Sequence, residues 1–195
     1  MTTTADDAAA PPPATEDHVL LLDEDGRHIG QMPRALVHGT ETPLHLAFSC
    51  YVFGPDGALL LTRRALTKRT WPGVWTNSFC GHPRTDETMV EAIERHAAHE
   101  LGMTVTGIQL ALPDFRYRAV DANGVVENEM CPVYLATVAS EPEPNPDEVM
   151  ELAWGAPADV GRAIAATPWV FSPWMVKQIH ALAELEDAPP SGGER

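Results

Sequence analysis

Apolar and polar residues change their spacing several times along this chain. Between residues 45 and 53 they alternate: Leu46, Phe48, Cys50 and Val52 fall on one side, and His45, Ala47, Ser49, Tyr51 and Phe53 on the other. A period of two predicts a strand. Gly54-Pro55-Asp56-Gly57 then turns the chain into the apolar run 58–62, completing a hairpin. An earlier apolar run over 18–22, ended by Asp23-Glu24-Asp25-Gly26, predicts another strand and turn. Over residues 85–101 the period becomes helical, with Met89, Ile93, His96, Ala97, Glu100 and Leu101 on one face. Thr88 and Glu91 fit a capping box, Asp86 is an alternative cap, and Gly102 is a natural stop.

Residues 126–137 read as one strand carrying Glu127, Glu129 and Cys131 on one side. Pro132 lacks the N–H that the ladder needs, which predicts an edge position or a bulge. Residues 141–147 alternate Pro with acidic or polar residues and read as a loop, 149–154 as a strand, and 157–166 and 173–185 as helices. Interleaved strands and helices predict an α/β sandwich around a mixed sheet. Residues 1–16, rich in Ala, Thr and acidic groups with a Pro11-Pro12-Pro13 run, read as an extended or disordered tail, and 186–195 as a flexible one. One domain is expected over 17–185, without internal repeats.

Composition narrows the function classes. The 195 residues suffice for one domain with a sizeable core, and 44% hydrophobic with 21% charged content is ordinary for a globular protein. No run of about 18 apolar residues predicts a membrane span, and the N-terminus lacks the basic and apolar regions of a secretory signal. Three cysteines, Cys50, Cys80 and Cys131, cannot all pair within one chain, so a reducing cytoplasm is expected. A net charge of −15 argues against binding nucleic acid or anionic lipid. Against that background Arg63, Arg64, Lys68 and Arg69 fall within seven residues. Spacing alone leaves two readings of them, a site for a small anion or a solvated basic turn.

Two short segments carry the chemistry. Thr76-Asn77-Ser78-Phe79-Cys80-Gly81-His82-Pro83 places a thiol and an imidazole two residues apart, and Glu127-Asn128-Glu129 places two carboxylates on one strand face. A soft nucleophile or base, metal ligands and an acid suit a metal-assisted enzyme better than a binding scaffold. Each residue also has a plainer reading: a free cysteine is most often a small buried hydrophobe, a lone histidine a hydrogen-bonded core or surface group, and a tryptophan such as Trp174 a core aromatic.

Residues 81–103 contain Gly81-x5-Glu87-x7-Arg95 and end in His99-Glu100-Leu101-Gly102-Met103. This resembles a Nudix box, G-x5-E-x7-R-E-U-x-E-E-x-G-U with U apolar, in which two carboxylates are replaced by His96 and His99. The spacing implies a Nudix-like α/β/α sandwich. The replaced carboxylates, which carry metal in Nudix hydrolases, argue against hydrolysis.

A resemblance covering about residues 18–180 is closer. His45-Leu46-Ala47-Phe48-Ser49, Thr62-Arg63-Arg64-Ala65-Leu66, Trp71-Pro72-Gly73-Val74-Trp75-Thr76-Asn77-Ser78, Cys80-Gly81-His82-Pro83, Asp114-Phe115-Arg116-Tyr117-Arg118-Ala119, Glu127-Asn128-Glu129, Thr167-Pro168-Trp169 and Phe171-Ser172-Pro173-Trp174-Met175 are similar, in order and spacing, to type I isopentenyl-diphosphate Δ-isomerases. The resemblance implies proton exchange by Cys80 and Glu129 from opposite sides of the substrate, with Tyr117 relaying or orienting a proton at Glu129. It implies one divalent ion, Mn2+, Zn2+ or Mg2+, at His38, His45, His82, Glu127 and Glu129, with Cys80 as a neighbouring donor. It implies a second ion, Mg2+, bridging the substrate diphosphate to Glu100. Arg34, Arg64 and Lys68 are implicated in diphosphate binding, with Arg34 standing where a Lys is typical, and His96 where an Arg can occur. Trp174 is implicated in stabilising a carbocation through its indole face.

The expected activity is therefore interconversion of isopentenyl and dimethylallyl diphosphate by a cytoplasmic, monomeric enzyme, with a small allylic or homoallylic diphosphate as its partner. A free thiol has a pKa of about 8.5 that falls near cations or metal, so exchange at Cys80 near neutral pH is expected. The rivals are a Nudix hydrolase of a nucleoside diphosphate and a non-catalytic metal-binding module.

Overall fold

The computed structural model describes residues 17–187; the expected tails over 1–16 and 188–195 lie outside them. Two sheets, not one, form the frame. The first holds β1 (His18–Leu22), β2 (His28–Pro33), β3 (His45–Leu46), β9 (Arg116–Val120) and β10 (Val126–Met130), in the order β2-β1-β3-β10-β9. The second holds β4 (Phe48–Phe53), β5 (Leu59–Arg64), β8 (Val105–Leu112), β11 (Val133–Val138) and β12 (Val149–Gly155), in the order β12-β5-β4-β11-β8. Two short strands join the second sheet, β6 (Trp75–Thr76) on β5 and β7 (Phe79–Gly81) on β4.

The sheets meet where two chain segments change partners together. The segment expected as one strand over 45–53 breaks at Ala47 into β3 and β4, and that over 126–137 breaks at Cys131-Pro132 into β10 and β11. β10 pairs parallel to β3, and β11 parallel to β4. At the junction Ala47 N–H donates to Met130 O at 2.9 Å, Ser49 N–H to Pro132 O at 3.1 Å, and Cys131 N–H to Phe115 O at 2.8 Å. Pro132 thus marks neither an edge nor a bulge. It sits where the ladder passes from one sheet to the other, the place where a missing N–H costs least.

The alternation of β4 is used on both faces. Phe48, Cys50 and Val52 pack with Leu60, Ile93, Ala97 and Leu101 under α2 (Met89–Leu101). Ala47 and Tyr51 pack with Leu59, Leu61 and Val133 against α3 (Pro157–Ala166) and α4 (Pro173–Asp187), which supply Val160, Ile164, Trp174 and Met175. The second sheet is therefore the filling of an α/β/α sandwich. Burying a side chain such as Ile93 or Leu101 contributes about 1.5–3 kcal/mol.

α2 begins later than the expected residue 85. Thr88 is its cap: Thr88 Oγ1 accepts from Glu91 N–H at 3.2 Å, and the Glu91 carboxylate accepts from Thr88 N–H at 2.8 Å. It ends at Gly102, whose φ of +57° is left-handed. A Cβ there would stand 2.5 Å from Glu143 O, so glycine is required twice over. A four-residue helix, α1 (Arg34–Val37), leads into His38, and a 3-10 turn (Pro168–Val170) precedes α4. None of the described helices is long and apolar enough to cross a membrane.

Candidate active site

A cavity of about 450 Å³ opens at the junction of the two sheets. Arg34, His38, Arg64, Lys68, Arg69, Thr70, Cys80, His82, Tyr117, Glu127, Glu129 and Trp174 line it with a few neighbours. These residues come from α1, β5, β7, β9, β10, α4 and the loops between them, so the cavity collects positions far apart in the chain.

The first sheet contributes the carboxylates. Glu129 lies opposite His45 in the β10–β3 register and opposite Tyr117 in the β10–β9 register. Its Oε2 accepts from the Tyr117 hydroxyl at 2.9 Å. Its Oε1 lies 3.5 Å from His45 Nε2 and 3.3 Å from His82 Nε2. Glu127, two residues back on the same face, accepts from Thr70 Oγ1 at 2.7 Å and holds its other oxygen 2.9 Å from His38 Nε2.

His38, His45, His82 and Glu129 form a tight group whose donor atoms lie within 4.8 Å of one another. The Nε2 atoms of all three histidines and Glu127 Oε2 are buried without an aligned hydrogen-bond partner. Unsatisfied buried polar atoms are costly, and a divalent cation held by the three histidines and Glu129 would satisfy the three Nε2 atoms at once. His45 Nδ1 is 3.0 Å from Pro43 O; donation to that carbonyl leaves the Nε2 lone pair facing the group. Burial alone would raise the Glu129 carboxyl, but the His45 and His82 imidazoles beside it hold it well below the ordinary carboxylate range. Burial pushes the His82 imidazole down to about 3, so it is neutral and able to act as a ligand.

Cys80 stands outside that group. It sits on β7, opposite Ser49 of β4 in register. Its Sγ lies 3.2 Å from Ser49 Oγ and 3.3 Å from both Nδ2 and Oδ1 of Asn77. Burial pushes its thiol up to about 12, against the pull of Ser49, Asn77 and Arg64. The expectation of a depressed pKa is thus corrected: desolvation outweighs the nearby cation.

The indole of Trp174 is fixed from three sides. Its Nε1–H donates to Asn77 Oδ1 at 3.0 Å, Trp71 meets it edge-on at 5.6 Å, and the Arg64 guanidinium lies over its ring at 5.2 Å. Trp71 holds a left-handed φ of +42°, a conformation that costs about 1–3 kcal/mol at a non-glycine residue. Its carbonyl accepts from Arg64 Nε at 3.2 Å, so the strained turn is tied to the guanidinium.

The basic cluster divides. Arg64, Lys68 and Arg69 reach the cavity and Arg34 joins them from α1, whereas Arg63 turns to Gly73 O at 2.9 Å and the Glu151 carboxylate at 2.7 Å. Lys68 pairs with Glu148 and lies 4.0 Å from Glu100. Burial lowers its ammonium to about 8.

His96 does not line the cavity. It is buried below Gly81, with Nδ1 2.9 Å from Glu100 Oε1 and its ring edge-on to Phe48 at 5.4 Å. A Cβ on Gly81 would stand 2.4–2.5 Å from that ring. The expected contact with substrate is therefore corrected to a contact with Glu100. His99, the other replaced box position, is exposed and 3.7 Å from Glu148. The box pair Glu87–Arg95 is bidentate at 2.6 and 2.7 Å, and Arg95 also donates to His82 O at 3.0 Å. Sequence reasoning assigned no role to Asn77, Ser49 or Thr70. The uninterrupted polar run Thr76-Asn77-Ser78, wholly buried, was the available signal for the first.

Comparison with known proteins agrees with this fold. The NUDIX domain family model matches residues 43–175. A structure from Deinococcus radiodurans (TM-score 0.66, 18% identity, 85% of this chain and 99% of that one) and a MutT protein from Methanosarcina mazei (TM-score 0.58, 16% identity, 76% and 99%) share the fold. Among sequences, the isopentenyl-diphosphate Delta-isomerase of Leifsonia xyli subsp. xyli is 58% identical over 178 residues, 90% of this chain and 96% of that protein. Those of Salmonella arizonae (53% over 164 residues, 84% and 90%) and Kocuria rhizophila (51% over 172 residues, 88% and 96%) are similar throughout. With a NUDIX fold and more than half of its residues shared across nearly its whole length, this chain belongs to the isopentenyl-diphosphate Delta-isomerase family.

Proposed function

We propose that the cavity interconverts isopentenyl diphosphate and dimethylallyl diphosphate by adding a proton to one alkene carbon and removing another, through a tertiary carbocation. The observation that carries this reading is one cavity lined by a thiol, a tyrosine-bonded carboxylate, an indole and a group of cations. Cys80 comes from a strand of the second sheet and Glu129 from the first. Substrate lying at the junction would meet them from different walls.

Arg34, Arg64 and Lys68 bind the diphosphate, and Arg64 then lies against both the anion and the Trp174 ring. Cys80 exchanges a proton on one side of the hydrocarbon. Glu129, held by the Tyr117 hydroxyl, exchanges the other. Trp174 presents its indole to developing positive charge. That contact is worth about 0.5–2 kcal/mol, at most a few tens of fold in rate at about 1.4 kcal/mol per decade, so acid–base placement must supply more. Trp71 and Trp174 shield the intermediate from water, which would trap it.

His38, His45, His82 and Glu129, with Glu127 beside them, are the residues that would hold a divalent ion. Such an ion would fix these side chains and tune the acidity of Glu129. Three imidazoles with carboxylate suit Mn2+ or Zn2+ better than Mg2+. Mg2+ suits the diphosphate, and Glu100, 4.0 Å from Lys68, is the residue that would hold it. We read the enzyme as a cytoplasmic monomer, in keeping with three free cysteines.

The test is incubation with isopentenyl diphosphate and Mg2+ in heavy water, with the label position read by NMR. Deuterated dimethylallyl diphosphate is the expected product. Released phosphate instead would mean hydrolysis, and metal uptake without turnover a binding module. Either result would end the isomerase reading.

A further inference from the structure

Behind Cys80 the wall of the cavity is a chain of buried polar groups. Tyr51 donates its hydroxyl hydrogen to Gln178 Oε1 at 2.8 Å, and Gln178 Nε2–H donates to Ser49 Oγ at 2.8 Å. Ser49 Oγ lies 3.2 Å from Cys80 Sγ and 3.4 Å from Cys131 Sγ. Gln178 and Ser49 are 0% exposed and Tyr51 is 1% exposed, so no solvent competes. A glutamine completely buried among apolar residues is costly unless its amide is satisfied, and here both ends of the amide are used.

Asn77, the other neighbour of the thiol, has most of its capacity engaged elsewhere and keeps the longer contacts to Cys80 Sγ, 3.3 Å from both Nδ2 and Oδ1. Its Oδ1 accepts from Trp174 Nε1 at 3.0 Å and lies 2.9 Å from Thr76 Oγ1, whose single hydrogen is shared between it and Ser172 Oγ at 2.7 Å. Its Nδ2 donates to Phe79 O at 2.8 Å and Cys50 O at 3.1 Å, engaging both hydrogens. Of the two groups that meet the thiol, Ser49 is the closer, at 3.2 Å against 3.3 Å, and its hydroxyl can either donate to the sulfur or accept from it. With one Ser49 lone pair taken by Gln178, its own hydrogen has two sulfurs to choose between. Turned to Cys80, it occupies a sulfur lone pair on the wall side and leaves the thiol hydrogen facing the cavity. Turned to Cys131, it frees Ser49 to accept the thiol hydrogen and withdraw it from the cavity.

We propose that Ser49, held by Gln178, is a positioning residue that directs the Cys80 proton into the cavity. The inference rests on the isomerase reading only for its effect on turnover; the hydrogen bond itself is independent of that reading. With the Tyr51 hydroxyl donating to the amide oxygen, the amide N–H faces Ser49; a reversed Gln178 would accept the Ser49 hydrogen and take it from sulfur. Cys131 is the alternative seat of that hydrogen and takes no part in the chemistry.

Six variants and one spectrum test this. Ser49→Ala and Gln178→Met should each lower kcat about tenfold, the worth of one hydrogen bond, with KM within about twofold. The double variant should be no slower than either single one, and Ser49→Thr should restore most of the rate. Tyr51→Phe keeps the ring, removes the anchor and should show the same loss in milder form, so it serves if Gln178→Met does not fold. In substrate-free protein, the S–H stretching band that vanishes in Cys80→Ala should shift in Ser49→Ala and Gln178→Met. An unmoved band, or unchanged kcat in Ser49→Ala, overturns the proposal. A shifted band in a protein that does not isomerise overturns the isomerase reading and supports the hydrogen bond.

Discussion

Tyr117 donates its hydroxyl hydrogen to one oxygen of Glu129 while the other oxygen faces two histidines. The carboxylate is thereby pinned by a neutral donor on one side and by the imidazole group on the other. Tyr117 is itself buried, and burial raises its phenol well above the ordinary value, so it stays a donor across the working pH range. Removing that donor leaves the tyrosine ring's packing to a phenylalanine of nearly the same shape. A hydrogen bond to a charged group is worth about 1.5–3 kcal/mol, or about ten- to a hundredfold in rate. Tyr117→Phe is therefore expected to lower kcat by that amount with little change in thermal stability. Steady-state kinetics beside a melting curve check it.

Cys80→Ala tests the other wall. The thiol is small and lies among Ser49 and Asn77, whose remaining hydrogen bonds hold the wall in place. The variant is expected to fold, to retain diphosphate affinity and to lose isomerisation. Turnover near that of the unmodified protein would take Cys80 out of the chemistry. Glu129→Gln should lose both activity and part of the metal affinity, and unchanged deuterium entry into product would contradict that.

These residues show how far the sequence could be read. α2 was legible because its signals are local: a helical period, Thr88 with Glu91, and Gly102. β8 was not, because exposed Thr106, Gly107, Gln109 and Leu110 blur its alternation. The break at Pro132 was visible, but its meaning depends on Ala47, some eighty residues earlier, changing sheets at the same level. His38, His45, His82 and Glu129 are gathered from one sheet and two loops, so no spacing announces the group. Only the family resemblance joined them, and it also carried His96 to the substrate, where the buried contact with Glu100 denies it a place.

The unpaired nitrogens of His38, His45 and His82 make a prediction about stability as well as activity. Without an ion, the Nε2 atoms of three imidazoles and one oxygen of Glu127 share a buried space with no hydrogen-bond partner aligned to them. Exhaustive chelation is expected to abolish turnover and to lower the melting temperature, and divalent ions to restore both. Linkage gives about 2.7 kcal/mol of stabilisation at a hundredfold excess over Kd. Titrating Mn2+, Zn2+ and Mg2+ separately, with melting as the readout, would rank them. Full activity in metal-free protein would exclude the ion from the mechanism.

Gly81 is packed so tightly that a methyl group has nowhere to go. The His96 ring it would strike is held by Glu100 and backed by Phe48, so it cannot swing aside. Gly81→Ala is expected to cost about 1–3 kcal/mol, or several degrees at about 2–4 °C per kcal/mol. It should also lower activity by displacing Cys80 and His82 on either side. Adding His96→Ala opens the space, so the double variant should regain part of the lost melting temperature. No recovery would mean that the strain lies elsewhere.

Glu87 and Arg95 supply a pH dependence whose direction is fixed. The hydrogen bond from Arg95 is the main cause that holds the Glu87 carboxyl below its ordinary value of 4.5. A carboxyl with a depressed folded-state pKa binds its proton more readily when unfolded, so it stabilises the fold above the ordinary value. That contribution is lost as pH falls through the folded value. Because Arg95 also donates to His82 O, the pair anchors the loop that carries His82. Glu87→Gln should therefore melt below the unmodified protein at neutral pH, and the gap should close under acid conditions below 4.5. Both carboxylate oxygens are engaged but partly solvated, so solvent screening keeps the gap small. Melting curves across the acid range decide it: a gap that stays constant from neutral pH downward would show that the substitution acts through shape alone and that the ion pair contributes nothing.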